Sequence, residues 1–276
     1  MNDHLRIVPL GGLGEVGKNM MSIEYGGEIL IIDVGMMFPM TGMLGIDYIL
    51  PDWDYLRDKK DQVRAAVITH GHMDHIGALS HFLEEFNVPI YATRLTRGLI
   101  EVQLQQKDML KHATIHTLSP RDQLEIGPFT VEPYHVCHSI PDTVGLGITT
   151  PEGLIVHSGD FKFDHTPVDG WPTDYAKLAD FTGRGVLVLL SDSTNADTPG
   201  RTSSEAVLYD AFHQIMREAP GRLIVATFAS LISRVQQIVD VAAQHNRKIA
   251  VAGRSMVNNT AMARELGYLD IPDDMI

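Results

Sequence analysis

Residues 70–77 spell His-Gly-His-Met-Asp-His-Ile-Gly, which places three imidazoles and a carboxylate within six positions. The apolar run 65–68 just before them predicts a short strand, so these side chains would lie on a loop at the edge of a sheet. Because alternate residues of an extended segment point the same way, His70 and His72 can bind one ion, and Asp74 and His75 a second. Imidazole nitrogens with carboxylate oxygens favour zinc, with manganese as the second choice. The alternative is a polar loop with scattered histidines, which does not account for this spacing.

Two further ligand-type residues follow predicted strands. His138 and Asp160 lie at strand C-termini, where open sheets gather functional loops, and Asp160 could bridge two ions about 3.5–4 Å apart. Such an ion pair lowers the pKa of a bound water and neutralises charge on a phosphoryl or acyl oxygen, which is hydrolytic chemistry. Asp33, His157 and Ser158 are candidates for fixing the imidazole tautomers, and the sequence does not rank them.

Composition indicates an ordinary globular chain. It has 276 residues, of which 44% are apolar, and no apolar run is long enough to span a bilayer. The polar start Met1–His4 is not a signal peptide, so we expect a cytoplasmic protein with no membrane contact. The single cysteine, Cys137, excludes an internal disulfide framework. We interpret it as a small buried side chain beside the metal pocket, with a reactive thiol as the alternative.

The formal charge of −13 argues on its face against a nucleic-acid partner. The charge is uneven, however, since the stretch from Arg201 to Gly267 has eight basic and five acidic residues. This distribution neither forbids nor predicts RNA as a partner.

Hydrophobic periodicity divides the chain into two parts. For the first part it predicts strands at 5–10, 20–34 (with a turn at Gly26-Gly27), 89–92, 113–118, 128–136, 144–149 and 153–158, and helices at 76–87 and 94–110. After Gly185 the pattern becomes β-α-β-α-β-α, which predicts a parallel sheet covered by helices. Its strands are predicted at 186–190, 223–227 and 249–252, and its helices at 203–219, 230–245 and 257–267. A cluster of turn-forming residues at 190–203 predicts the boundary between a domain of residues 1–200 and one of residues 201–276.

Gly12-Leu-Gly14-Glu-Val-Gly17 matches the G-x-G-x-x-G motif of dinucleotide-binding proteins, with Asp33 sixteen residues on. That motif needs a following helix to present its N-terminus to a pyrophosphate. Here 19–27 is strand-like and ends in a Gly-Gly turn. We therefore expect no nicotinamide cofactor, and a tight turn that lines the metal cleft instead.

The motifs of this chain, in this order, resemble the bacterial ribonuclease J family, in the β-CASP branch of the metallo-β-lactamase superfamily. Besides 70–77, the resemblance is carried by 11–19 (GGLGEVGKN), 44–48 (LGIDY), 138–142 (HSIPD), 159–163 (GDFKF), 190–195 (LSDSTN), 227–230 (TFAS) and 253–256 (GRSM). It implies an α/β (α+β) fold in which an incomplete metallo-β-lactamase αββα sandwich is followed by the first part of an inserted parallel α/β β-CASP domain.

The resemblance also implies site residues. Carried over by position, the ligands of the first zinc are His70, His72 and His138, those of the second are Asp74 and His75, and Asp160 bridges. Asp192 falls on the acidic motif at the start of the β-CASP insertion, and it joins Asp74 and Asp160 as a predicted catalytic residue.

Two more regions follow from the resemblance. Ser230, Leu231 and Ile232, with Arg234 close by, fall where the family contacts the RNA phosphate backbone or 5′ end. The main-chain carbonyls of Leu44 and Ile46 fall where some members bind a structural calcium ion. Family members usually have a polar or histidine-containing stretch where this chain has Leu231-Ile232-Ser233.

The family continues beyond the position of Ile276. The resemblance predicts that the remainder carries two further histidine motifs, one of them a ligand of the second zinc, and that the full-length form is a homo-oligomer. It also predicts that, within these 276 residues, half of the sandwich lacks its partner sheet.

Three functions are weighed on this basis. The first is a zinc-dependent ribonuclease that cleaves RNA as a 5′→3′ exonuclease and an endonuclease, in RNA maturation and decay. The second is a small-molecule hydrolase of the same superfamily, such as a thioesterase or lactamase, for which the α/β segment after residue 190 is an unneeded addition. The third is a truncated copy that binds RNA without cutting it, against which stands the full set of ligands in this half.

Overall fold

Six strands form the first sheet in the order β1-β2-β3-β4-β5-β6, according to a computed structural model that describes residues 4–276. The strands are β1 (Arg6–Gly11), β2 (Met20–Tyr25), β3 (Glu28–Ile32), β4 (Val63–Val67), β5 (Ile90–Ala92) and β6 (Ile115–Thr117). The first three pair antiparallel and the last four parallel. The predicted hairpin turn at Gly26-Gly27 is confirmed. Residues 1–3, the start of the polar N-terminus noted above, lie outside the described part.

Five strands form the second sheet in the order β11-β10-β9-β8-β7. They are β7 (Leu124–Ile126), β8 (Phe129–His135), β9 (Val144–Thr150), β10 (Gly153–His157) and β11 (Val186–Leu190). β11 pairs parallel with β10. The prediction that 186–190 opens a separate α/β sheet is therefore wrong, since this strand completes the second sheet of the sandwich.

The two sheets pack face to face, so the expectation that half of the sandwich lacks its partner sheet is also wrong. Leu30 and Ile32 of β3 share one buried cluster with Val131 of β8 and Ile148 of β9. The intervening residue Ile31 points the other way, into the core beneath the helices. A strand buried on both faces has no polar alternation, which is why β3 is a continuous apolar run in the sequence.

Helices cover the outer faces. Their bounds are α1 (Asp54–Arg57), α2 (Met73–Ile76), α3 (Leu79–Glu85), α4 (Arg94–Gln106), α5 (Tyr175–Arg184), α6 (Leu208–Glu218), α7 (Ile232–Gln244) and α8 (Arg254–Glu265), with short 3-10 turns at Lys60–Gln62, Leu110–His112 and Glu205–Val207. α3 and α4 bury Phe82 and Ile100 in the same core as Ile31. Phe181 of α5 meets Tyr134 of β8 edge-on at 5.6 Å. The layers are thus helix, sheet, sheet, helix, as the αββα expectation requires.

Two element predictions after residue 200 differ from the structure. The segments 223–227 and 249–252 belong to no hydrogen-bonded strand pair among the described residues. Ile249 N donates to Met275 O (2.7 Å), which is a single bond and not a ladder, and Ile224 is 96% exposed. An apolar run becomes a strand only beside a neighbour, so the predicted parallel β-CASP sheet is not formed within residues 4–276. The domain division at residue 200 stays a prediction.

Smaller differences concern helix bounds. The helix predicted at 76–87 is two short helices, α2 and α3, which meet at Gly77-Ala78. The helix predicted at 203–219 begins regular turns only at Leu208. In the described part of the chain, none of the helices combines the length and apolarity that crossing a bilayer requires.

The later helices dock on the sandwich through α8. A Cβ atom at Gly98 of α4 would lie 2.6 Å from Met262 Sδ, so the absence of a side chain there lets α8 approach. Just after α8, the Tyr268 hydroxyl donates to Asp142 Oδ2 (2.7 Å), and Leu95 N donates to the same oxygen (3.0 Å). Asp142 is 5% exposed. This carboxylate therefore joins α4 to the chain that follows α8.

We expect Tyr268→Phe to weaken this docking. A hydrogen bond to a buried charged group stabilises by about 1.5–3 kcal/mol, so the variant should unfold at lower urea concentration. Tyr175→Phe is the matched control because Tyr175 is 42% exposed and lies on α5, outside the contact between α4 and α8. Equal unfolding midpoints for the two variants would show that the Tyr268–Asp142 bond does not hold α8 in place.

Candidate metal centre

Strands of both sheets end at one edge of the sandwich, and the ligand-type residues lie on the loops there. His70 and His72 follow β4, and Asp74 and His75 lie on α2 directly after them. From the second sheet, a loop after β8 and a loop after β10 bring His138 and Asp160, the two remaining predicted ligands, to the same place. Donor atoms of His70, His72 and His138 form one group, those of His70, His75 and Asp160 form a second, and Asp74 lies beside His75.

The first cluster consists of three imidazoles. His70 Nε2 lies 3.1 Å from His72 Nδ1, which lies 3.2 Å from His138 Nε2. A tetrahedral zinc ion with Zn–N bonds of about 2.0–2.1 Å separates its ligand nitrogens by about 3.3–3.4 Å. The donor set and its spacing therefore fit a zinc ion.

The second cluster is mixed. His75 Nε2 lies 3.4 Å from Asp160 Oδ1 and 3.6 Å from Asp74 Oδ2. The other oxygen of Asp160, Oδ2, lies 3.9 Å from His138 Nε2 and 4.0 Å from His70 Nε2. One carboxylate thus presents one oxygen to each cluster, which is the geometry expected of a bridging ligand.

Burial keeps the first cluster neutral. It lowers the pKa of His70 well below the usual value, with the neighbouring His75 adding to the effect. Burial also lowers the pKa of His72 to about 3, with a further contribution from His138. Neutral imidazoles are what a metal ion requires, because only an unprotonated nitrogen has a lone pair to donate.

Carboxylates give the second cluster a negative electrostatic potential. Burial opposes a charge on His75, but the carboxylates of Asp33 and Asp160 outweigh it and raise the pKa of His75 well above the usual value. The pKa of Asp160 is lowered to about 2, because interactions with His75 exceed the opposing effect of burial. Burial, and then the nearby Asp160, raise the pKa of Asp74. A field that favours a proton on His75 also favours a divalent cation beside it.

Hydrogen bonds fix the tautomers of two ligand-type imidazoles. Nδ1–H of His75 donates to Asp33 Oδ2 (2.8 Å), so in the neutral ring that binds a metal the lone pair is on Nε2, which faces the second cluster. The hydroxyl of Thr69 donates to Asp33 Oδ2 (2.9 Å) and accepts from Nδ1 of His70 (3.0 Å). Nε2 of His70 therefore faces the first cluster.

Of the three residues proposed for orienting the imidazoles, only Asp33 contacts a ligand-type ring in this way. His157 Nδ1 accepts from Gly159 N (3.0 Å), and the Ser158 hydroxyl donates to Gly159 O (2.6 Å). These two residues hold the loop that presents Asp160.

Sequence reasoning missed Thr69 and Asn19. Thr69 immediately precedes His70, and a hydroxyl at the end of a buried strand is the only local signal for it. Asn19 Nδ2 lies 3.1 Å from His75 Nε2 and 3.4 Å from Asp74 Oδ2. Asn19 lies more than fifty residues before them in the chain, so no nearby residue in the sequence indicates these contacts.

Asp192 lies outside both donor clusters. Its main-chain N–H donates to Ser158 Oγ (2.8 Å), and its Oδ1 accepts from Thr194 N (2.8 Å). Its negative charge acts on His138, where it partly offsets the lowering of the pKa by burial. Asp192 therefore reaches the centre through the Ser158 loop and through its charge.

A cavity of about 900 Å³ opens over the metal centre. His72, Asp74 and Asp160 line it, together with the predicted substrate-binding residues Ser230, Leu231 and Arg234. Ile232, the fourth of these, is 1% exposed and packs in the core. The turn that contains Gly17 also lines the cavity, as the sequence predicted.

The remaining predicted residues lie away from the centre. Leu44 and Ile46 are on an exposed turn, with 93% and 49% of their surface accessible. A calcium ion bound by their carbonyls stays a prediction. Cys137 is buried, and its thiol donates to Trp171 O (3.3 Å). Burial raises the pKa of this thiol, which agrees with a buried side chain rather than a reactive one.

We expect Thr69→Val to weaken metal binding. The change keeps the shape of the side chain but removes the hydroxyl that orients Asp33 and His70, and loss of such a group costs about 10–100-fold in affinity. Zinc titration calorimetry measures the effect. Thr260→Val is the matched control because the Thr260 hydroxyl is buried without a hydrogen-bond partner in the described chain. Unchanged zinc affinity in Thr69→Val would contradict this role.

Removal of metal should lower thermal stability. An ion present at 100 times its dissociation constant stabilises the folded state by about 2.7 kcal/mol, because it binds the folded state only. Differential scanning calorimetry with added zinc and with a chelator should show unfolding temperatures several degrees apart. Identical temperatures would mean that the clusters do not bind zinc.

Comparison with known proteins agrees with this geometry. The family model for the metallo-beta-lactamase superfamily matches residues 13–211, and the model for the ribonuclease J beta-CASP domain matches residues 220–276. A solved structure of a protein of unknown function from Enterococcus faecalis V583 superposes with a TM-score of 0.68 at 18% identity, over 97% of this chain and 68% of that one. This likeness shows the fold.

Curated relatives are more similar in sequence. Ribonuclease J of Synechocystis sp. is 47% identical and the match covers 98% of this chain and 43% of that protein. Ribonuclease J of Thermus thermophilus is 44% identical over 98% of this chain and 48% of its own length. The chain thus spans about half the length of the curated relatives that it matches. It belongs to the metallo-β-lactamase superfamily, and within that superfamily it is ribonuclease J-like over almost its whole length.

Proposed function

We propose that this chain is the catalytic half of a zinc-dependent ribonuclease that hydrolyses RNA phosphodiesters, as a 5′→3′ exonuclease and as an endonuclease, in RNA maturation and decay. The observation that carries the proposal is the pair of donor clusters joined by Asp160 at the floor of one cavity, in a chain similar to ribonucleases J. Cytoplasmic location and a homo-oligomeric full-length form are part of the proposal and rest on the resemblance.

The residues divide into two metal positions. His70, His72 and His138 would bind one ion, and Asp74 and His75 the other, with Asp160 between them. When bound, two such ions lower the pKa of a water molecule and neutralise charge on a phosphoryl oxygen. Three nitrogen donors at the first position favour zinc, and the mixed donors at the second also suit manganese.

The chain's own groups position the reactants. Asp74 lies at the cavity wall, where its carboxylate would orient the attacking water while it holds an ion. Ser230 and Arg234 line the same cavity, where they would contact the phosphate backbone. The Arg234 guanidinium is also ion-paired with Glu205 and donates to Gln237 Oε1 (3.2 Å), so it is held in one direction. Contacts to the backbone carry no information about base identity, so cleavage should depend little on sequence.

The cavity volume is also compatible with one other function, the hydrolysis of a small molecule. At about 900 Å³ it lies within the range of small-molecule sites, so a thioesterase or lactamase would also fit. The ribonuclease is preferred because the segment 228–234 forms part of the cavity wall, and that segment lies beyond the sandwich.

We expect Asp74→Asn to abolish RNA cleavage by the longest natural polypeptide that contains this chain, with RNA binding retained. The change removes a donor charge at the second position without altering shape. Cleavage is measured on RNA labelled at the 5′ or the 3′ end, so that released mononucleotides and internal fragments are distinguished. Asp210→Asn is the control, because Asp210 is exposed on α6.

Two results would overturn the proposal. Full RNA cleavage by Asp74→Asn would exclude the metal mechanism. Turnover of nitrocefin or a thioester by the unmodified protein, with RNA left intact, would assign the cavity to a small substrate.

A further inference from the structure

The glycine motif at 12–17 lies beside the second cluster, and the proposed function gives it no role. In the structure this turn leads into Lys18 and Asn19, and the main chain of Asn19 is fixed on both sides. Asn19 N donates to Asp74 O (3.0 Å), and Gly35 N donates to Asn19 O (2.9 Å). The main chain of Asn19 alone therefore binds this residue to the helix that carries Asp74 and His75.

Two glycines allow this close approach. Gly12 has a φ of 86°, and a Cβ atom there would lie 2.5 Å from Asn19 Oδ1. A Cβ atom at Gly35 would overlap the Asp74 carbonyl oxygen. A larger residue at either position would push Asn19 or α2 away. No helix follows the motif to present an N-terminus to a phosphate, and its first glycine, Gly12, serves the packing of Asn19.

The side chain of Asn19 has its own partners. Its Nδ2 lies 3.1 Å from His75 Nε2 and 3.4 Å from Asp74 Oδ2, and both of these atoms are the proposed ligands of the second ion. Nδ1–H of His75 donates to Asp33, so in the neutral, metal-binding form of the ring Nε2 carries only a lone pair, and the Asp74 carboxylate likewise only accepts. The amide therefore donates toward both ligand atoms, and its oxygen faces Gly12.

We propose that Asn19 is a positioning residue for the second metal position, and that Gly12 and Gly35 leave the space in which its amide reaches there. Without an ion, the amide donates to Asp74 Oδ2 and lies against His75 Nε2, so it holds both ligand atoms toward one point. An ion at the second position would take the lone pair of His75 Nε2, and the amide would continue to hold the Asp74 carboxylate in place. This inference rests on the proposed two-metal ribonuclease site.

The test is metal binding by Asn19→Ala in the longest natural polypeptide that contains this chain. Metal-free protein is titrated with Zn²⁺ by calorimetry and with Co²⁺ by visible absorption, which reports the geometry of each bound ion. We expect the first equivalent to bind as in the unmodified protein, with the same cobalt spectrum. The second equivalent should bind at least about tenfold more weakly, as is typical when a group that orients a ligand is removed.

Asn259→Ala is the matched control. Asn259 also lines the cavity, but its amide donates to Ala229 O (3.1 Å), away from both clusters. Circular dichroism of the metal-free variants establishes that they are folded. Should Asn19→Ala not fold, Asn19→Ser, whose shorter side chain keeps a polar group in the turn, is expected to show the same selective loss.

The outcomes separate the two proposals. Two equivalents of zinc bound with unchanged affinity by a folded Asn19 variant would overturn the role of Asn19 and leave the ribonuclease proposal intact. An unmodified protein that binds no zinc or cobalt would overturn the metal site itself. Equal weakening by Asn259→Ala would show a general effect of the cavity wall, and would also overturn the role of Asn19.

Discussion

The buried carboxylate of Asp33 is the interaction on which the metal centre depends. It is 2% exposed, it follows β3 with a φ of 58°, and it accepts hydrogen bonds from Thr69 N (2.8 Å), the Thr69 hydroxyl and His75 Nδ1. A buried charge is tolerated only when it is fully hydrogen-bonded, so β3, β4 and α2 are constrained to meet around it. The same bonds decide which nitrogen of His75 faces the cavity. Through the Thr69 hydroxyl, Asp33 also determines which nitrogen of His70 faces the cavity.

Much of this centre was predictable because its residues are close in sequence. His70, His72, Asp74 and His75 lie on a loop and the helix that follows it, and short-range geometry is enough to direct them to one edge. The positions of His138 and Asp160 followed from the rule that functional loops gather at strand ends. Asn19 was missed because its role depends on a backbone approach between distant segments, and neither its type nor its neighbours indicate that contact.

The predictions about the fold that proved wrong have one physical cause. An apolar run of five residues shows that a segment is buried or paired, but not which strand it pairs with. Residues 186–190 pair with β10 and so belong to the sandwich, whereas 223–227 are also largely apolar but have no strand partner among the described residues. Half of the sandwich was expected to lack its partner sheet because members of the family are longer than this chain. In the structure, strands β7 to β11 of this chain pair with one another and form that sheet.

At the edge of the second sheet, β11 pairs with β10 alone among the strands that the structure describes. Leu187 and Leu189 are 52% and 63% exposed on this strand. An apolar edge with free main-chain donors and acceptors is a template for pairing with another chain. We therefore expect this edge to favour edge-to-edge association of these 276 residues at high concentration. Any oligomer observed for them in solution must have its interface mapped before it is taken as a natural assembly.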